Sequence, residues 1–429
     1  MKKKYRIILY TSIFLLCVVA SIILVVKKSN SVYEEESKPK VVKHKSMLSM
    51  NLEQTAGAGD YKTVTQSSWP TEGYKFNAEL SRCENGSTLS WDDTKKAVIV
   101  SGNLSDKCYV YFDIYQPTLA EYIKSQYTGT QGENNIYYHD SDLANGAGDN
   151  SYRYAGANPN NFVCFGSDTS PCPTDNLYRI IGVFGENYHG VTGKQLVKLI
   201  KYDYMTTDEL GTDGDYSQTY KEWGMDSTYK GTYGDGERIG VYYWNYKATG
   251  SATNTWSTSL LNKTNLNTNF INNIGTTWAN KIATVTWKVG GNTYANISDV
   301  VPATTYQNEI VNPVTTNTTD NATTYSAKIG LMYVSDYGFA ASPDAWTLTM
   351  SSYNNTTATN NNWMYMGLYE WTISRIADYS DRAFLVFSAG LVSYSRVNGL
   401  SGVRASFSLE SSVSYVSGSG SMSDPIVIN

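Results

Sequence analysis

The chain carries little of what conventional chemistry needs. Three histidines occur in 429 residues (His44, His139 and His189), and none has another recognisable ligand or nucleophile close to it in sequence. Cysteine is nearly as scarce, with five residues and none after Cys172. No two cysteines have the short spacing of a zinc site, and no histidine pair accompanies them. His-Glu-x-x-His, Gly-x-Ser-x-Gly, Walker and Rossmann glycine patterns are all missing. Charge is thin: Asp, Glu, Lys and Arg make up 17% and the net charge is −5, so nothing points to a nucleic-acid partner. No catalytic residue, cofactor or metal is therefore expected.

Tyrosine is abundant, with 36 copies beside 10 tryptophans and long Asn/Thr/Ser/Gly tracts. Tyr, Thr and Trp favour strands whereas Asn, Gly and Ser favour turns, which predicts a β-rich chain with long loops. Tyr and Trp also join an apolar body to a polar tip, which suits surfaces that bind.

The first residues predict a membrane anchor. "MKKKYR" holds four basic residues, and residues 7–26 run for twenty positions without a charge, enough for a helix to cross a bilayer core of about 30 Å. A cleaved signal peptide is the rival, but its apolar region is usually shorter, and Cys17 lacks the small residue before it that a lipoprotein signal needs. The basic excess keeps the N-terminus cytoplasmic and sends residues 29–429 outside. The expected location is thus the cell membrane, single-pass, with the C-terminal domain extracellular. Outside the span lie Cys83, Cys108, Cys164 and Cys172, which allow three connectivities. Pairing sequence neighbours, Cys83 with Cys108 and Cys164 with Cys172, is the simplest. Each bridge would stabilise by about 2–4 kcal/mol in an oxidising compartment.

Four segments follow: a basic tip and transmembrane anchor (1–28), a flexible stalk (29–65), a small disulfide-tied β-sandwich-like module (66–116), and a larger domain (117–429). "TLAEYIKSQY" places Leu119, Tyr122, Ile123 and Tyr127 at helical spacing. "LYRIIGVF" reads as a buried strand continued by a hairpin through residues 194–205. The segment after Trp256 reads as a helical insertion, with Ser257 or Thr258 as cap. "YVSDYGF" and "EWTISR" are expected as core strands, and residues 388–400 as an exposed hairpin and loop turning at Ala389–Gly390.

The order of "LYRIIGVF", "KIGLMYVSDYGFA", "EWTISR" and the ending "GVRASFSLESSVSYVSGSGSMSDPIVI" resembles a family of uncharacterised Firmicutes surface proteins over residues 117–429. That resemblance implies a C-type-lectin-like (sulfatase-modifying-factor-like) C-terminal domain and no particular reaction. Ala405 stands where the family ending has proline. Sulfatase-activating enzymes of similar fold need a C-terminal cysteine pair, which is missing here. Calcium-dependent lectins carry Glu-Pro-Asn or Gln-Pro-Asp, of which "SPDAW" is a faint echo. Targets of diversity-generating retroelements present variable Tyr, Ser, Asn and Asp, a flavour shared by "ADYSDR" and "SYSRVNGLSG".

Asp140, Asp142 and Asn145 could hold calcium but miss the EF-hand glycine and closing Glu, so a solvated loop is preferred. Asp336, Asp344 and Glu370 are the candidate carboxylates for glycan hydrolysis. Arg404 reads as a structural residue satisfying loop carbonyls. The period-two alternation of "WMYMGLYEWTI" puts Trp363, Tyr365 and Tyr369 on one face and Met364, Met366 and Leu368 on the other. Core packing is the preferred reading for Trp346, Trp363, Tyr365 and Tyr369; with the Met/Leu face inward instead, these four, joined by Tyr394 and Arg396, become the candidate ligand-binding residues. The expected fold class is α+β: a transmembrane helix, a small β module and a C-type-lectin-like domain. The expected function is a membrane-anchored surface adhesin or recognition module for an extracellular glycan or protein. A cell-envelope glycan hydrolase, a structural surface component and a retroelement target protein are the alternatives.

Overall fold

A computed structural model describes residues 48–65, 68–70, 73–103, 105–185, 192–217, 222–224, 228–233, 238–313 and 323–429. The chain divides between Gln116 and Pro117 into two compact units.

In the smaller unit the register is set by alternating apolar positions and one disulfide. A four-stranded sheet runs in the order Tyr61–Val64, Leu48–Glu53, Cys108–Ile114, Tyr74–Cys83. Leu48–Glu53 pairs parallel with Cys108–Ile114, and the other pairings are antiparallel. Met50, Leu52, Val110 and Phe112 form its core, and Trp91 of the separate hairpin Thr88–Asp92/Ala97–Ser101 meets the Phe112 ring at 5.5 Å. Residues 48–64, assigned to the stalk from sequence, thus supply two of the four strands. Glu53 explains why a charged end is tolerated there: its carboxylate accepts from Gly59 N (3.1 Å) and Ile114 N (2.9 Å). Cys83 and Cys108 face each other across the strand pair and are bonded.

The larger unit is built on a seven-stranded sheet. Its path is Ile329–Gly330, Ser406–Ser408, Leu196–Lys201, Leu177–Phe184, Ser151–Tyr154, Ile136–His139, with Phe162–Cys164 also paired to Leu177–Phe184. Leu177–Phe184 and Leu196–Lys201 are buried along their whole length, as the continuous apolar run "LYRIIGVF" implies. A second sheet runs Gly291–Asn292, Glu370–Ile376, Arg382–Val386, Val392–Arg396. A second disulfide joins Cys164 and Cys172, and the two bridges are consistent with an extracellular protein. Helix Leu119–Ser125 starts on a reciprocal Thr118/Glu121 capping box.

Three elements depart from the sequence reading. "YVSDYGF" is helical, Val334–Ala340, not a strand. Buried carboxylates override its β propensity: Asp336 accepts from Tyr333 N (2.9 Å), and Glu309 accepts from Val334 N (3.0 Å) and Ser335 N (2.9 Å), which satisfies the free N–H groups of the first turn. The helical insertion covers Leu261–Phe270 and Ile271–Ala279, but Ser257 and Thr258 do not cap it. Ser259 Oγ accepts from Asn262 N (3.2 Å), and remote Asp215 Oδ2 accepts from Leu260 N (2.8 Å) and Leu261 N (3.2 Å).

The third departure concerns fold class. Among the described residues the structure is mostly strand and loop, with 34% strand and 21% helix, rather than the α+β architecture with a transmembrane helix expected. Among the described residues no helix is long and apolar enough to cross a membrane. Helix Leu261–Phe270 shows why: it is dominated by Asn and Thr and packs its few apolar residues into the core. The span read at residues 7–26 lies outside the described residues, as do His44 and His189. The single-pass membrane location is corrected accordingly.

Burial lifts the Asp215 carboxyl to about 6 despite the N–H groups bonded to it. A carboxyl that holds its proton more tightly folded than unfolded loses stability as pH rises from about 4 toward 6, and the penalty persists above that range. Asp215→Asn keeps an oxygen for the two N–H groups. It is expected to gain on the parent by roughly 2 kcal/mol between about pH 4 and pH 7. Urea unfolding at the two pH values measures the change, and a gap that stays constant with pH rejects it.

Candidate functional site

Strands Arg382–Val386 and Val392–Arg396 form an antiparallel hairpin with Arg382 opposite Arg396 and Phe384 opposite Tyr394. Gly390 makes the turn possible: its φ is +95°, and an added Cβ would lie 2.6 Å from Thr359 Cγ2 and 2.9 Å from Tyr353 O. Paired residues share a face. On this face Phe384 is buried, Tyr394 half-buried and Arg396 exposed, so the hairpin runs out of the core into solvent.

At the solvent end aromatic rings and guanidinium groups converge. Tyr379, 43% exposed, lies 5.9 Å from the Tyr394 ring, and Tyr294 meets Tyr394 edge-on at 5.6 Å. Arg382 Cζ sits 3.9 Å from the Tyr379 ring centre and 4.9 Å from that of Tyr394. Arg396 exposes 68% of its side chain. Asp381 lies between the arginines, 3.8 Å from Arg382 Nε and 3.9 Å from Arg396 Nε, too far for strong charge-assisted hydrogen bonds. Rigid rings beside donors only weakly engaged can stack on a flat ligand and donate to its oxygens.

Of the six residues nominated from sequence, the structure brings only Tyr394 and Arg396 together here. Trp346 is fully buried: its Nε1 donates to Ala341 O (2.8 Å) and its ring packs on His139 and Phe339. Trp363 is buried too, donating to Tyr154 O (2.9 Å) with Arg179 Cζ 4.7 Å from its ring. Tyr365 donates to Ser388 O (2.5 Å), and burial raises its hydroxyl pKa. Tyr369 is 39% exposed but lies against Phe387. Alternation misplaces this stretch because the strand begins only at Glu370; residues 363–368 turn, and both of their presumed faces are buried. Of residues 388–400, Val392 and Val397 are buried while Ala389 and Arg396 are exposed. Sequence reading missed the roles of Tyr294, Tyr379 and Arg382, although "ADYSDR" one strand ahead of "SYSR" is the signal for the last two.

The carboxylates nominated for hydrolysis are held elsewhere. Lys198 Nζ donates to Asp336 Oδ2 at 2.5 Å, with both side chains buried. Glu370 takes a two-point contact from Arg404 (Nε to Oε1 2.8 Å, Nη2 to Oε2 2.9 Å). Asp344 is exposed. Asp140 Oδ1 accepts from Asp142 N and Leu143 N, both at 3.0 Å, a local turn. No group of three or more His, Cys, Asp or Glu positioned for a metal occurs among the described residues. His139, at a strand end rather than in a loop, accepts from Ala147 N (3.0 Å), and burial holds its pKa well below the usual imidazole range.

Removing one member of the Arg404–Glu370 pair leaves an uncompensated buried charge. Arg404→Ala is expected to cost about 3–5 kcal/mol, and Arg404→Leu with Glu370→Leu to recover much of that loss. Denaturant unfolding of the single and double variants measures it; a double variant no more stable than the single would show that packing rather than charge carries the cost.

The comparisons with known proteins leave this surface to stand on its own chemistry: no family model, curated protein or solved structure matches the chain.

Proposed function

We propose that the larger unit is a recognition module that binds an extracellular glycan or protein through the surface of Tyr379, Arg382, Tyr394 and Arg396. The observation that carries this reading is Arg382 laid against the Tyr379 and Tyr394 rings beside the solvent-exposed Arg396, the two arginines sharing a single distant carboxylate. Three buried cations of the unit have close anionic partners instead: Arg404 on Glu370, Lys198 on Asp336, Arg153 on Asp149 at 2.7 Å. Surface donors left with such weak contacts favour ligands rich in acceptor oxygens. Tyr and Arg are also the residues over-represented at binding hot spots. A hydrolytic reading loses support because Asp336 and Glu370 are each committed to a buried cation.

The test is binding of the full chain on a glycan array and to surface-protein extracts, repeated with variants. Arg382→Ala and Arg396→Ala are each expected to weaken binding about fivefold or more, with affinity falling as salt rises. Arg396→Ala should leave the melting temperature unchanged, since its side chain is mostly in solvent. Tyr394→Phe is the informative change at Tyr394, whose ring packs on Tyr294 and Tyr379 and would cost stability if truncated to Ala. Binding unaltered in both arginine variants refutes this surface.

A further inference from the structure

A second site lies at the other sheet of the larger unit, and its chemistry is different. Tyr122, Gln126, Asn134–Asn135, Ile136, Tyr154, Asn160, Ser419 and Ile426 line an open cleft of about 200 Å³. Ile136 and Ile426 back the cleft from within the core, Tyr154 reaches it with little exposed surface, and Asn134, Asn135, Asn160 and Ser419 form an exposed polar rim. The Tyr122 ring is fixed by stacking on Tyr415, with centroids 3.7 Å apart and planes 7° from parallel.

The walls are built and not merely adjacent. Gly420 (φ +78°) approaches Asn160 so closely that a Cβ would lie 2.5 Å from Asn160 O, and its carbonyl accepts from Phe162 N (2.8 Å); this seats Ser419 beside Asn160. Asn134 and Asn135 are both left-handed, with φ of 56° and 58°, a conformation that costs backbone energy and concentrates at functional sites. Asn134 Nδ2 donates to Gln126 O (2.9 Å) and locks that corner to the helix.

What the cleft has to spare is neutral hydrogen-bonding capacity. Among the described residues the side chains of Asn135 and Asn160 make no hydrogen bond to the protein, nor does the hydroxyl of Tyr154, a residue only 4% exposed. The Tyr154 hydroxyl is not one of the fully buried unpartnered polar atoms, so it opens to the cleft, where an occupant can bond it. No carboxylate, ammonium, guanidinium or imidazole lines the cleft. Tyr122 stays neutral as well, its hydroxyl pushed up to about 12, chiefly by burial and then by its bond with Tyr415.

We propose that this cleft binds one neutral sugar residue. A pyranose offers a ring of hydroxyls that match the amides and the phenol, and an apolar C–H face for the half-buried Tyr122 ring. The volume falls below the roughly 300–1,000 Å³ of drug-sized sites, so the fit is to a single ring with any further chain leaving through the open side. The site is independent of the Tyr379–Arg396 surface, with which it shares no residue and which carries charge.

Saturation-transfer NMR on the full chain tests this with glucose, galactose and N-acetylglucosamine as neutral probes and glucuronic acid as the charged counterpart. At least one neutral probe is expected to bind with affinity on the order of millimolar. Tyr154→Phe and Asn160→Ala should each weaken it about fivefold or more, because each removes a hydrogen bond to the ligand. Tyr154→Phe should leave the melting temperature unchanged, since no protein bond is lost. Arg396→Ala should leave sugar binding intact, which separates this site from the recognition surface. The proposal is overturned by any of three results: no neutral probe binds, glucuronic acid binds as well as they do, or Tyr154→Phe lowers stability while sparing binding.

Discussion

The two-point ion pair between Arg404 and Glu370 is the contact on which the arrangement of the larger unit depends. Arg404 leads into strand Ser406–Ser408 of the seven-stranded sheet, and Glu370 opens strand Glu370–Ile376 of the four-stranded one. The backbone repeats the link beside it: Trp371 N donates to Gly402 O (3.1 Å), and Gly402 N donates to Tyr369 O (2.9 Å). Arg404 also donates to Met364 O (2.7 Å), so the turn preceding Glu370 is held by the same guanidinium. A planar fork with several donors suits that task, where a lysine would serve one acceptor at a time. Because the hairpin that carries Tyr394 and Arg396 pairs onto Glu370–Ile376, the position of the candidate surface follows from this junction.

Two regimes of electrostatics coexist in the unit. Inside, charge is used to build secondary structure: Asp215 and Ser259 start one helix, and Glu309 and Asp336 start another, with Lys198 balancing Asp336. Such pairs are weak evidence for net stability because desolvation offsets much of their attraction. Their evident role is local, fixing where helices begin. At the surface Arg382 instead lies against tyrosine rings and Arg396 extends into solvent, both only distantly engaged by Asp381.

Strand positions in the larger unit were legible where burial is two-sided or strongly patterned. "LYRIIGVF" and "EWTISR" read as strands because nearly every side chain there is buried, and helix Leu119–Ser125 announced itself through its apolar spacing. "YVSDYGF" was illegible because its helix depends on Glu309, a residue far away in sequence. Stretch 363–369 misled for a related reason: alternation implies two faces only in a strand, and this segment turns. Of the candidate surface, Tyr394 and Arg396 were readable by residue type. Tyr294, Tyr379 and Arg382 join them through pairing and packing that spacing alone does not encode. Nothing in the sequence pattern marks the neutral cleft, whose walls come from four separate segments.

The stacking of Tyr415 on Tyr122 belongs to a longer seam. Leu119 N donates to Val413 O (2.8 Å), Tyr415 N donates to Pro117 O (2.9 Å), and Asn429 N donates to Ser414 O (3.0 Å). Residues 117 and 429 therefore meet at the same short stretch of backbone, and the larger unit is a nearly closed loop of chain. A unit with neighbouring ends adds almost no length between whatever it is spliced into, and it tolerates having its order of elements cut and rejoined elsewhere. Opening the chain at an exposed turn such as Asn398 and joining 429 to 117 through a short linker would leave both sheets and their junction intact while moving the free ends beside the arginine surface.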